Sequence, residues 1–143
     1  EVEEREANIA DLFEIRLPQT NGDTIALSSM KGKVILLDFT AYQTDYSAAR
    51  TLQMRELYQQ FEGRGFEIYQ VSLDTDEHFW KTSADNLPWI CVRDGEGGAS
   101  PNILLYRLDK LPSYFLINRA NEIVLRDEQI DDISLEIEKL LKE

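Results

Sequence analysis

The chain has 143 residues, 43% of them hydrophobic and 10% aromatic, enough to enclose one two-sided core and to set the expectation of a single domain. Its formal net charge of −12, with no Lys/Arg cluster, would repel a phosphate backbone, so nucleic acid is not an expected partner. One cysteine, Cys91, and one histidine, His78, are too few for an internal disulfide or a His/Cys zinc site, and no metal or cofactor is expected.

In chain order, Glu1-Val2-Glu3-Glu4-Arg5-Glu6 is charged and polar. It lacks the basic and apolar regions of an export signal and reads as a linker over 1–10, ahead of a domain at 11–143. Phe13 to Leu17 alternates apolar and polar, and a turn at Asn21-Gly22-Asp23 leads into Thr24 to Leu27, which predicts a hairpin. After Lys31-Gly32-Lys33, the run Val34 to Phe39 has the apolar character of a central strand covered on both faces. Interrupted at Asp38, it is far below the roughly 20 residues of a membrane-spanning helix.

Met54, Leu57, Tyr58 and Phe61 share one face of a helix of about four turns, which Gly63 and Gly65 bring to an end. Phe66 to Leu73 reads as a strand, and Asp74-Thr75-Asp76-Glu77 supplies an N-cap and acidic first turn for a helix through Trp80. Strand, helix, strand and helix together predict a parallel βαβ core. A strand fragment at Trp89 to Val92 gives way to a loop, and Ser100-Pro101 opens a short helix to about Tyr106. Ser113 to Ile117, the turn Asn118 to Asn121 and Glu122 to Leu125 predict a second hairpin. Ile130, Ile133, Ile137, Leu140 and Leu141 mark a final amphipathic helix.

This order of elements resembles the TlpA/ResA-like and AhpC/TSA-like branch of the thioredoxin superfamily. Gly32-Lys33-Val34-Ile35-Leu36-Leu37-Asp38-Phe39-Thr40-Ala41 stands where such domains carry a central strand running into Trp-Cys-x-x-Cys at a helix start. Further matches are Gly65 to Asp74, Leu87-Pro88-Trp89 and Leu111-Pro112-Ser113-Tyr114-Phe115-Leu116-Ile117, the last resembling Ile-Pro-Thr-x-Phe-Leu-Ile. The resemblance covers about residues 11–142. It implies an α/β thioredoxin fold, with a central mixed sheet flanked by helices, an N-terminal hairpin and an inserted short helix. It also implies a cis Leu111–Pro112 bond.

The resemblance places the dithiol motif on Gln43 and Thr44-Asp45-Tyr46-Ser47, where both cysteines are missing. A hydroxyl carries no redox-active sulfur and cannot form a mixed disulfide, so neither Thr44 nor Ser47 replaces them. Thr44-x-x-Ser47 also echoes the Thr-x-x-Cys of peroxiredoxins, with Ser47 at the peroxidatic position and Thr40 in place of that motif's proline. Asp38 stands where many thioredoxins bury an acid beneath the active site. The competing expectation is a strand-end carboxylate bonded to a hydroxyl or water.

Cys91, between Ile90 and Val92, reads as a small core residue, with a lone reactive thiol as its rival. His78 reads as a surface residue and Trp80 and Trp89 as packing residues, Trp89 being able to line the groove as well. Catalytic residues are not expected. Tyr42, Gln43, Thr44, Asp45 and Tyr46, with Leu111, Pro112 and Ser113, form the candidate surface for a protein or extended peptide segment. The first functional reading is thus a redox-inactive binding module, which the resemblance places in the cell envelope. The second is an unconventional thiol-disulfide oxidoreductase or peroxiredoxin-like enzyme.

Overall fold

A computed structural model describes residues 14–143; the linker expected at 1–10 and Phe13 of the first strand lie outside the described residues. The hairpin comprises β1 (Arg16–Pro18) and β2 (Thr24–Ala26), antiparallel with Leu17 opposite Ile25. The main sheet has β3 (Val34–Thr40), β4 (Phe66–Ser72), β5 (Ile90–Arg93), β6 (Ser113–Ile117) and β7 (Ile123–Arg126) in the order β5-β4-β3-β6-β7. Strands β3, β4 and β5 run parallel, while β6 is antiparallel to both β3 and β7. The mixed α/β sheet of the expected thioredoxin fold is therefore present.

Every residue of β3 and β4 is buried, because the sheet is covered on both faces and successive side chains point to opposite sides. Val34, Leu36, Phe66 and Ile68 meet Met54, Leu57 and Phe61 of α2 (Ala48–Phe61), Trp80 of α3 (Glu77–Ala84), and Ile137 and Leu140 of α5 (Ile133–Leu141). Their neighbours Ile35, Leu37, Phe39, Tyr69 and Val71 meet Ile15, Leu27, Met30 and Tyr106 on the other face. Tyr106 follows the short helix α4 (Pro101–Leu105), which Ser100 caps as its sequence suggests.

Two of the boundaries that differ from the sequence reading bear on the site. Strand β5 begins at Ile90 because Trp89 turns its indole into the core, where its N–H donates to Gln70 Oε1 at 3.0 Å. The segment after β3 is not one helix start: α1 (Tyr42–Asp45) ends, Tyr46 and Ser47 are extended, and α2 begins at Ala48. Ser47 is its N-cap, accepting from the Arg50 amide at 3.2 Å.

At the opposite end of β3, Arg119 gathers three chain segments. Its guanidinium donates to the carbonyls of Gly32 and Leu141, each at 3.0 Å. Gly65 lies against that guanidinium with φ +95, where a Cβ would come within 2.9 Å of Nη1.

Candidate functional site

The chain leaves β3 at Thr40 and turns through α1. Ala41 supplies no side-chain cap there, and the Asp74 carboxylate, arriving from the end of β4, accepts from the amides of Tyr42 and Gln43 at 2.8 and 3.0 Å. The Ser72 hydroxyl donates to Asp74 at 2.5 Å and accepts from its amide at 3.0 Å. Amides that could hold an anion at a helix start are thereby satisfied from within.

Tyr42 turns inward and is buried, which corrects its expected place on the contact surface. Its hydroxyl donates to Gln70 Oε1 at 2.6 Å, the same oxygen that receives the Trp89 indole. Gln70 Nε2 in turn donates to Asp38 Oδ2 at 3.0 Å. Asp38 and Gln70 are register partners on β3 and β4, so both side chains reach the same face. Burial and the neighbouring Cys91 raise the Tyr42 hydroxyl well above the ordinary tyrosine range.

Asp38 is fully buried and paired with the Arg50 guanidinium. Among the described residues its partners are an arginine and an amide rather than a hydroxyl. Arg50 also lies 5.4 Å from the centre of the Tyr114 ring. Sequence reasoning missed Arg50 and Gln70, and it placed Asp74 only at the start of the helix that Asp76 in fact caps; the signal available for Arg50 was one carboxylate in an apolar strand, which needs a partner.

Cys91 is buried, its Sγ 3.6 Å from the Tyr42 hydroxyl and 3.8 Å from Gln70 Oε1. Burial pushes the thiol up to about 12, against a smaller lowering from the Tyr42 hydrogen bond. Arg93 turns instead to the Asp74 carbonyl at 3.3 Å. Among the described residues, this sulfur lacks the electropositive, partly exposed setting of a reactive thiol.

The rest of the candidate surface divides by exposure. Tyr46 is 67% exposed, and Gln43, Thr44 and Ser47 face solvent; the Asp45 side chain is not among those described. Leu111 and Pro112 are half-buried, and the bond between them is cis. Ser113 is buried, its hydroxyl donating to the Lys110 carbonyl at 2.6 Å, so its side chain is withdrawn from the surface on which it was expected. Phe39 pairs with Ser113 across β3 and β6, and the continued register brings Pro112 beside Thr40, at the entrance to α1. Trp80 and Trp89 are core residues and His78 is exposed.

Among the described residues, no group of three or more His, Cys, Asp or Glu is arranged to hold a metal ion. Likewise, no helix among them is long and apolar enough to cross a membrane.

The AhpC/TSA family matches residues 9–126. The solution structure of an uncharacterized thioredoxin-like protein from Bacteroides vulgatus is similar with 54% identity and a TM-score of 0.86, covering 93% of this chain and 88% of that one. The thiol-disulfide oxidoreductase ResA of Bacillus subtilis is 29% identical over 112 residues, 76% of this chain and 60% of ResA. Human nucleoredoxin is 25% identical over 118 residues, 80% of this chain and 27% of nucleoredoxin. The chain therefore spans only part of the length of these two relatives.

Proposed function

The chain belongs to the AhpC/TSA family as a TlpA/ResA-like thioredoxin-fold domain, and from that premise we propose that it is a redox-inactive member that reversibly binds an extended segment of a partner protein. The observation that carries this reading is the state of its one thiol: Cys91 is buried beside Tyr42 and raised to about 12, and the family resemblance aligns the dithiol positions with two hydroxyl residues, Thr44 and Ser47. Thiol-disulfide exchange begins with an accessible thiolate, which Cys91 in this setting does not supply.

The contact surface in this reading consists of Gln43, Thr44 and Tyr46 together with Leu111 and Pro112. Tyr46 supplies apolar area with a polar tip, and the half-buried Leu111–Pro112 step, which the register brings beside Thr40, supplies main chain for pairing with an extended segment. Binding of this kind needs no sulfur and leaves no covalent intermediate. The same reading assigns the domain to the cell envelope, in keeping with its resemblance to the TlpA/ResA-like branch.

The test is to measure insulin reduction and peroxide turnover by the pure protein alongside Cys91→Ser. Both preparations are expected to lack turnover. Turnover by the wild type that disappears in Cys91→Ser would make the domain an oxidoreductase and overturn the proposal.

A further inference from the structure

The first two turns of α2 leave an outer face without charge. Ala48, Ala49, Leu52 and Gln53 are exposed there, and Leu52, at 58%, is the large apolar side chain that α2 turns to solvent. From Ser47 to Met54 the one charged residue is Arg50, and its guanidinium is directed inward to Asp38. Charge returns at Arg55 and Glu56, a turn beyond Leu52. This is a neutral stretch in a chain of which 29% of the residues are charged. Leu135 of α5, also exposed, stands instead between Asp132 and Glu138, each three residues away along the same helix surface.

The face is also complementary to itself in shape. Ala48 and Ala49 lie four and three residues before Leu52, so the leucine stands beside the low surface of two methyl groups. A second α2 laid antiparallel across the first, about a two-fold axis level with Arg50, sets each Leu52 over the other's Ala48 and Ala49. Arg55 and Glu56 then fall beyond the crossing, and the opposed helix dipoles favour the antiparallel sense. Two copies of net charge −12 repel one another, and that repulsion is least where neither presents a charge. A second copy of the chain meets the demands of shape and of charge together.

We propose that the outer face of α2 from Ala48 to Gln53 docks a second copy of this chain and forms a weak two-fold dimer. Leu52 of each copy seats over Ala48 and Ala49 of the other. Two helix turns from each copy fall short of the roughly 1,200 Å2 that a stable interface buries, which sets the expected dissociation constant at about 0.1–1 mM. The face begins beyond Tyr46 and does not include Pro112, so the dimer does not rest on the binding role assigned to those residues.

The experiment is sedimentation equilibrium of the full chain from about 20 μM to 2 mM, in low and in high NaCl. The mass is expected to rise with concentration from one chain toward two, and association should tighten at least about threefold as salt screens the repulsion between copies. Leu52→Asp should weaken association at least about tenfold. Ala48→Glu should do the same, although an acid in the first turn favours the helix itself, so loss of the dimer cannot be put down to loss of the fold. Leu135→Asp, at the exposed leucine of α5, should associate as the wild type does. A single chain at every concentration would leave the face to a different protein and overturn the proposal. So would association that survives Leu52→Asp and Ala48→Glu, that is lost in Leu135→Asp, that loosens as salt is raised, or that continues past two chains.

Discussion

The Tyr42 hydroxyl donates to the side-chain carbonyl of Gln70 at 2.6 Å, joining the turn at the end of β3 to the centre of the sheet. Tyr42→Phe keeps the ring and removes this donor, while Trp89 still supplies Gln70 Oε1. We expect a loss of about 1 kcal/mol in stability. Tyr46→Ala, at an exposed site, should change stability by no more than about 0.5 kcal/mol and weaken peptide binding instead. Urea denaturation and peptide titration of both variants check this division of roles; a binding defect confined to Tyr42→Phe would reverse it.

The Cys91 thiol should resist Ellman's reagent at pH 8 in the folded protein and react fully once the chain is unfolded. Its pH dependence has a defined sign. The folded thiol is raised to about 12 from roughly 8.5 in an unfolded chain, so the stability linked to its neutral form is complete below about pH 8.5 and is lost as pH climbs toward 12. Denaturation midpoints of the wild type should therefore fall more steeply over that window than those of Cys91→Ala. Parallel curves would show that the sulfur ionises freely in the fold.

The break between α1 and α2 gives Thr44 and Ser47 unequal surroundings. Ser47 caps α2 and receives the Arg50 amide, so a thiol introduced by Ser47→Cys gains a helix N-terminus and should titrate below the roughly 8.5 of a free thiol. Thr44 sits inside α1, whose leading amides are engaged by Asp74, and Thr44→Cys should show no such depression. Thiolate absorbance at 240 nm against pH separates the two; a lower value for Thr44→Cys would mean that α1 and α2 form one helix start in solution.

Asp38 and Arg50 should behave as a unit. Arg50→Met leaves a fully buried carboxylate with the Gln70 amide alone, and we expect a cost of about 2–4 kcal/mol, on the low side for a buried pair because the Arg50 side chain keeps 23% exposure. Adding Asp38→Asn removes the stranded charge and should recover more than half of that loss. Strictly additive effects in the double-mutant cycle would show that the pair contributes no coupling.

The parts of the fold that were legible in the sequence are those where one periodicity dominates. Val34 to Phe39 reads as a two-faced central strand because both faces are in fact covered, and Met54, Leu57 and Phe61 read as a helix face because all three are buried. The site was less legible, since Tyr42 and Tyr46 are alike in composition and neighbourhood yet one is buried and the other exposed. What separates them is Gln70, on a different strand, and the interruption of the helix at Tyr46–Ser47. The Asp38–Arg50 pair depends in the same way on a helix orientation that no local pattern encodes. Ser113 was placed on the surface by its motif, but its side chain follows the pleat of β6 inward.

Arg119 closes the sheet at the end where β3 begins, while α1 and Pro112 meet at the end where β3 finishes, about 20 Å away along the strand. The carbonyls of Gly32 and Leu141 are fastened at that far pole, so the framework draws none of its support there from the residues that a dithiol would occupy. Substitutions at positions 44 and 47 therefore leave the fastening at that pole intact.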